Sequence, residues 1–271
     1  MRQDQEQKFA VLIDAENISD KYIKIIMDEI ANFGIVTYKR IYGDWTNTQL
    51  NSWKTVLLEN SIVPIQQYSY TSGKNSTDSA LIIDAMDILY SKNVDGFCIV
   101  SSDSDFTKLS TRLREAGMTV IGMGESKTPK PFIAACNQFK YLNILYSSML
   151  KAESTTLPSE TDRKRSPSLQ ANIEKPSNSA TDDDLEPQTD LDTIKKALMA
   201  LVEESSDDDG WIFIGDIGNQ LAKRFPDFDV RNFGFRKLTP FIKSLRLFDV
   251  KSDPVNASNN MKLIYIKSKK D

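Results

Sequence analysis

Two aspartates near the middle of the chain have the type and spacing to bind a metal ion. Asp103 and Asp105 are separated by one residue, two serines follow the apolar run Phe97–Val100 before them, and a helical pattern starts at Phe106. The pattern predicts a buried parallel strand that delivers both carboxylates to the start of a helix. Ligands of open α/β sheets bind at the carboxyl ends of such strands. Two close carboxylates repel each other unless a cation lies between them, so a metal is expected here.

Two further aspartates share this setting. Asp14 ends the apolar run of residues 8–13, and Asp78 opens a helical pattern with one apolar stripe. Since that stripe packs on the sheet, its first residue should point towards the strand ends. Asp84 lies about 120° round the same helix, and we expect it behind the site or facing solvent.

A set of converging carboxylates favours Mg²⁺ or Mn²⁺, which take oxygen ligands and keep several waters. Such an ion can activate a water and stabilise the charge of an in-line phosphodiester displacement. The alternative is that these residues are ordinary helix caps, which contribute about 1 kcal/mol each. Three such sites together, two of them at the ends of buried strands, favour the metal. Asn17 can cap its helix and also orient a metal-bound water or a phosphate.

Composition excludes several kinds of chemistry. The 271 residues include no histidine, which removes Ser-His-Asp and Cys-His catalysis and paired-histidine nuclease mechanisms. Two cysteines cannot complete a structural zinc site, and both Cys98 and Cys136 lie in apolar runs, as buried, reduced residues do. The net charge is only -4, so a basic surface must be local. We expect a cytoplasmic protein with no membrane segment and no signal peptide.

The order of apolar and polar segments predicts two domains. Strands alternate with helices over residues 1–150, which predicts a doubly wound parallel sheet, and Pro64 suggests an edge position for the third strand. Residues 151–189 are rich in Ser, Thr, Pro, Asp and Glu and are expected to form a flexible linker. Residues 190–271 contain three short helical patterns and two strand patterns, as a winged helix does. The fold class is α/β with a small winged-helix domain.

Three motifs of the first domain resemble the NYN domain family, a branch of the PIN-like nucleases related to the LabA-type proteins. The motifs are VLIDAEN (11–17), KNSTD (74–78) and VSSDSDF (100–106). The resemblance implies a Rossmann-like PIN fold and metal-dependent cleavage of RNA. It makes metal ligands of the four aspartates Asp14, Asp78, Asp103 and Asp105, with Asn17 beside them. Independently of the resemblance, Lys74 lies in a polar loop and can donate to a substrate phosphate, although a loop lysine is usually only solvated.

The end of the chain looks like a LOTUS domain, also called OST-HTH. The motifs are WIFIGDIG (211–218), RFPDFD (224–229) and FGFRKL (233–238). This similarity implies RNA binding or docking to a protein partner. Basic residues in this region support RNA binding. The alternative has similar weight: these residues are solvated side chains around an ordinary amphipathic core. The candidates are Lys223, Arg224, Arg231, Arg236 and Lys237.

The sequence therefore predicts a metal-dependent ribonuclease with an RNA- or partner-binding module. A non-catalytic RNA-binding adaptor is the alternative function. A phosphatase of the HAD type is disfavoured, because it needs Asp-x-Asp after the first strand and this chain has Asp14-Ala15-Glu16 there. Near the second strand, Tyr42 and Trp45 can stack on a base, although packing is the favoured role for both.

Overall fold

Alternating strands and helices build a parallel sheet in the first domain. The computed structural model describes residues 6–68, 76–155, 187–256 and 259–269. The sheet has six strands in the order β3-β2-β1-β4-β5-β6, and all neighbours are parallel. In chain order they are β1 (Lys8–Asp14), β2 (Ile35–Gly43), β3 (Val63–Gln66), β4 (Gly96–Val100), β5 (Thr119–Gly124) and β6 (Gln138–Tyr141).

Helices cover both faces of this sheet, because its central strands are apolar on both sides. Along β1, Phe9, Val11 and Ile13 enter one core, while Ala10 and Leu12 enter the other. Helices α1, α2 and α6 pack on the first core, and α3, α4 and α5 pack on the second. Their bounds are α1 (Ile23–Ala31), α2 (Trp53–Asn60), α3 (Ser76–Ser91), α4 (Thr107–Glu115), α5 (Lys130–Ala135) and α6 (Leu142–Thr155). The predicted parallel α/β fold is confirmed, and β3 with Pro64 lies at an edge.

The second domain is a small helical unit with an antiparallel sheet. Its strands pair in the order β7-β9-β8, and its core is formed by the apolar faces of three helices, centred on Ile194, Leu221 and Phe241. The predicted winged-helix architecture is confirmed. The elements are α7 (Leu191–Ser205), β7 (Ile212–Phe213), α8 (Ile214–Arg224), α9 (Leu238–Leu245), β8 (Phe248–Asn256) and β9 (Asn259–Ser268).

The second domain covers the open edge of the first domain's sheet at β6. The backbone N–H of Phe139 donates to the carbonyl of Pro226 at 2.7 Å. The Tyr141 hydroxyl donates to Asp227 at 2.9 Å, and the Asp227 carboxylate is 2% exposed. Unpaired edge strands expose backbone donors and acceptors to foreign strands. The contact therefore protects this edge and holds the two domains together.

A cluster of four charged side chains continues the same interface. Asp229 accepts hydrogen bonds from Lys140 at 2.7 Å and from Arg231, and Arg231 also donates to Glu29 on α1. Burial by itself raises the pKa of Asp229, but the hydrogen bond from Arg231 and the charge of Lys140 outweigh it and hold the pKa well below its ordinary value. The carboxylate therefore stays ionised between two cations.

The predicted linker range touches the first domain at both of its ends. At its start, α6 continues to Thr155. At its end, Gln188 donates from its side chain to the Ser126 carbonyl at 2.9 Å, and Thr189 donates from its hydroxyl to Asp227 at 2.6 Å.

Candidate metal centre

The fold brings the predicted carboxylates to one edge of the sheet. Asp14 is the last residue of β1, and β4, which pairs with β1, ends at Val100 just before the segment that contains Asp103. Helix α3 starts at Ser76 and presents Asp78 in its first turn. The carboxyl ends of parallel strands meet at the same edge, so residues far apart in sequence become neighbours.

Three of the carboxylates have the geometry of a metal site. One oxygen from each of Asp78, Asp103 and Asp105 lies within 4.8 Å of the other two. Asp78 is 9% exposed, whereas Asp105 is at the surface. Burial, helped by the negative charges of the neighbouring carboxylates, raises the pKa of Asp78 from 3.8 to about 6. A divalent cation would relieve this repulsion, and an all-oxygen donor set suits Mg²⁺ or Mn²⁺.

Asp14, at the end of β1, is fully buried and close enough for its charge to act on Asp78. One carboxylate oxygen accepts from Asn17 Nδ2 at 2.7 Å and from Ser101 Oγ at 2.8 Å, and the other accepts from the Glu16 backbone N–H at 3.1 Å. Burial raises the pKa of Asp14, and these hydrogen bonds oppose the rise. Asp14 is not one of the three residues whose oxygens lie close together, but its negative charge helps to raise the pKa of Asp78. Asn17 thus holds a carboxylate in place.

Ser101 is a functional residue that sequence reasoning missed. Its hydroxyl is fully buried, donates to Asp14 and accepts from the Asp103 backbone N–H at 3.0 Å. Asp103 in turn accepts from the Asp105 N–H at 2.9 Å, which caps the helical turn at residues 104–106. Asp103 can therefore cap this helical turn and act as a metal ligand at the same time. The interleaved hydroxyls of residues 101–104 were the signal that could have identified Ser101.

Glu16 is a second residue that sequence reasoning did not single out. Its carboxylate accepts from the Thr77 hydroxyl at 3.0 Å and from the Asp44 backbone N–H at 3.4 Å. Thr77 is 3% exposed and directly precedes Asp78. Glu16 therefore ties the loop after β1 and the loop after β2 to the first turn of α3, which presents Asp78 to the site.

Asp84 anchors α3 to the sheet. Its carboxylate accepts hydrogen bonds from the Arg40 guanidinium and from the Tyr42 hydroxyl, both on β2. This contact agrees with the expectation that Asp84 lies behind the site. Tyr42 is fully buried, which confirms its packing role and excludes base stacking. Trp45 is half-buried and donates from Nε1 to the Ile65 carbonyl at 3.0 Å.

The predicted RNA-binding residues are spread over different surfaces. Lys223 and Arg224 end α8 and line a cleft between the domains, whereas Arg236 lines a separate cavity beside α1 and α6. Arg231 is engaged by Glu29 and Asp229 at the domain interface. Lys237 is exposed and directly precedes α9. Lys74 lies outside the described residues.

Two other sequence expectations concern cysteines and membranes. Cys98 and Cys136 are both free and buried, as predicted. Among the helices that the structure describes, not one combines the length and the apolar character that crossing a bilayer requires.

Relatives and solved structures of limited similarity match parts of the chain. An uncharacterized protein of Methanocaldococcus jannaschii is 26% identical over 123 residues, which are 44% of this chain and 48% of that protein. The match thus spans about half of that relative's length. A crystal structure of a Vibrio parahaemolyticus protein of unknown function aligns with a TM-score of 0.43 and 18% identity, covering 51% of this chain and 94% of that one. An uncharacterized Nitrosomonas europaea protein, solved by NMR, aligns with a TM-score of 0.27 and 31% identity, covering 38% and 94%.

Two family models match the chain in the regions that the motifs indicated. The NYN domain model matches residues 8–143, and the OST-HTH/LOTUS domain model matches residues 189–259. The first implies a nuclease-type fold and the second implies RNA binding. The match to the first model covers half of the chain, and its span contains all four aspartates of the sheet edge. The chain therefore belongs to the NYN domain family and carries an OST-HTH/LOTUS domain after its NYN domain.

Proposed function

We propose that this protein is a Mg²⁺- or Mn²⁺-dependent ribonuclease that acts in the cytoplasm. The observation that carries the proposal is the trio of oxygens from Asp78, Asp103 and Asp105 within 4.8 Å of one another. Two free, buried cysteines support the location, since disulfides are rare in the cytosol. We also propose that residues 1–150 form the nuclease domain, 151–189 the linker and 190–271 the RNA- or partner-binding domain.

The proposed metal ligands are Asp78, Asp103 and Asp105, with Asp14 adding to the negative charge near them. When bound, the ion would act as a Lewis acid and lower the pKa of a water bound to it. Hydrolysis joins the water oxygen to phosphorus, breaks one phosphorus–oxygen ester bond and leaves a proton to be accepted. Because the chain has no histidine, we assign the acceptance of that proton to a carboxylate at this edge.

The other residues of the site hold these carboxylates in position. Ser101 and Asn17 donate to Asp14, and Glu16 accepts from Thr77 beside Asp78. Rigid support of this kind matters, because reacting groups must be held near their productive geometry before reaction. In this proposal Asn17 positions Asp14 by a hydrogen bond and can also orient a substrate phosphate at the same edge of the sheet.

The test is cleavage of end-labelled single-stranded and hairpin RNAs by purified protein in Mn²⁺, Mg²⁺ or EDTA. Asp103→Asn keeps the side-chain oxygen that caps residue 105 but removes the charge, so we expect it to fold and to lose cleavage. Asp87→Asn removes an exposed carboxylate of α3 and is the matched control. Metal-dependent cleavage that survives in Asp87→Asn and disappears in Asp103→Asn supports the proposal.

Two results would contradict it. Cleavage that persists in Asp103→Asn means a contaminant or another active site. If the pure wild-type protein binds RNA and never cleaves it, the function is that of a non-catalytic adaptor.

A further inference from the structure

A cleft of about 910 Å³ lies between the two domains at the sheet edge opposite the carboxylates. On the first domain it is lined by residues at the amino ends of β1, β5 and β6, together with Arg114. On the second domain it is lined by the last turns of α8, with Lys223 and Arg224. The cleft exists only because the domains are docked. Strand β1, which runs from this edge to the other, is about 20 Å long.

The charged side chains of this cleft all have the same sign. Arg114, Lys223 and Arg224 are its charged members, and no carboxylate is among the described lining residues. The remaining polar lining consists of amides and one hydroxyl: Gln7, Asn137, Gln138, Asn219 and Thr119. Cations without acidic neighbours, together with amide donors, form a surface that recognises phosphate groups.

Two of the three cations are free to bind an anion, and Arg114 is held in place by hydrogen bonds. Within the described part of the chain, the side chains of Lys223 and Arg224 make no hydrogen bond or ion pair, and both are exposed. Arg114 Nη1 donates to the carbonyls of Ala134 and Ala135 at 3.2 and 3.3 Å. The other guanidinium N–H groups of Arg114 remain for a ligand, and an anchored guanidinium loses little entropy on binding.

Helix α4 connects this cleft to the carboxylates. It begins two residues after Asp105 and contains Arg114 near its end, and its nine residues span about 14 Å. Lys108 and Arg112 are exposed and lie four residues apart, so they share one face, whereas Arg114 lies about 160° round the helix from Arg112. The acidic residue of α4 is Glu115, at its last position. The helix therefore carries positive charge along most of the way between the two sites.

We propose that the phosphates of single-stranded RNA follow α4 from the carboxylates into this interdomain cleft, where Arg114, Lys223 and Arg224 bind them. The proposal rests on the proposed ribonuclease function, since it gives the path of that substrate. It makes RNA affinity a property of the docked pair of domains, with neither domain alone providing the site. It also predicts that longer RNAs bind more tightly, because a short one reaches only one end of the path.

The experiment measures binding of a labelled single-stranded RNA of about 20 nucleotides to the full-length protein in EDTA, over a range of salt concentrations. For Lys223→Glu/Arg224→Glu we expect binding at least tenfold weaker than wild type. The slope of log affinity against log salt should become shallower by about 1.4, which is about 0.7 for each lost phosphate contact.

The matched control is Lys243→Glu/Arg246→Glu, which makes the same charge change at the end of α9, outside the cleft lining. Equal weakening in both double variants, or no change in the cleft variant, would overturn the proposal. Binding of a glutamate-rich peptide at the cleft in place of RNA would also overturn it.

Cleavage in Mn²⁺ separates this proposal from the function on which it rests. A wild-type protein that never cleaves but binds RNA through the cleft would refute the nuclease and keep the cleft. A wild-type protein that cleaves, with cleft variants that bind like wild type, would keep the nuclease and refute the cleft.

Discussion

Arg231 of the OST-HTH/LOTUS domain donates to Glu29 of the NYN domain, 202 residues earlier in the chain, with 2.7 Å between Nη2 and Oε2. The same guanidinium also binds Asp229, which is held by Lys140 from the sheet edge. One side chain thus joins both domains and orders the carboxylate between them. Loss of Arg231 would remove the partner of the buried Glu29 carboxylate and leave Asp229 with Lys140.

The first prediction concerns this contact. Arg231→Met should weaken domain docking, because Glu29 and Asp229 lose their shared partner. Breaking a largely buried pair costs about 2–3 kcal/mol when one partner is a third exposed. Small-angle X-ray scattering should show a larger radius of gyration, and proteolysis near residue 189 should accelerate. Lys243→Met, which removes an exposed cation of the same domain outside both interdomain cavities, is the control. An unchanged radius in Arg231→Met would contradict the prediction.

The second prediction is that docking resists moderate acid. The pKa of Asp229 is lowered in the folded protein, so its stabilising contribution is complete above the unfolded value of 3.8. That contribution is lost only as the pH falls through the lower, folded pKa. The radius of gyration should therefore be the same at pH 8 and at pH 5. Separation of the domains at pH 5 would mean that another group controls the interface.

The third prediction concerns Asp78 in the metal-free protein. Its pKa is raised from 3.8 to about 6, so between these values the folded state binds more protons than the unfolded state. The stability of the metal-free protein should therefore fall as the pH rises through this window. In EDTA at pH 8, Asp78→Asn should melt at a higher temperature than wild type.

Thermal melts with Mn²⁺ complete this test. Wild type and Asp87→Asn should be stabilised by Mn²⁺ because it binds only the folded site, whereas Asp78→Asn should lose most of that increase. If Asp78→Asn melts lower than wild type in EDTA and still responds to Mn²⁺, then Asp78 is a structural residue and does not bind the metal.

The fourth prediction concerns Ser101. Ser101→Ala removes a donor from the buried Asp14 and an acceptor from the Asp103 N–H. Leaving these groups unpaired costs about 1–3 kcal/mol, which urea unfolding measures. The pKa of Asp14 should rise further, and Mn²⁺ affinity should fall because Asp103 loses its support. Ser104→Ala removes an exposed hydroxyl of the same segment and should have little effect. Equal stability of the two variants would refute the bridging role.

Local patterns predicted much of this protein. Strand-end positions for Asp14 and Asp103 follow from the apolar runs before them, and the helix-start position of Asp78 follows from its amphipathic stripe. The alternation that makes a parallel sheet, the proline that marks β3 as an edge strand and the motifs of both families can also be read along the chain. Each of these features depends on residues close together in sequence, where periodicity and capping preferences act directly.

Other features were decided only by the tertiary structure. Ser101 meets Asp14 across paired strands, 87 residues apart, and Arg231 meets Glu29 across two domains. The cleft of Arg114, Lys223 and Arg224 has walls from both domains. A charged or hydroxyl side chain at the end of a helix or strand looks the same in sequence whether its hydrogen bonds are made with water or with a distant residue. Its role is settled by which groups the folded chain brings within hydrogen-bonding distance, and that choice is made by packing.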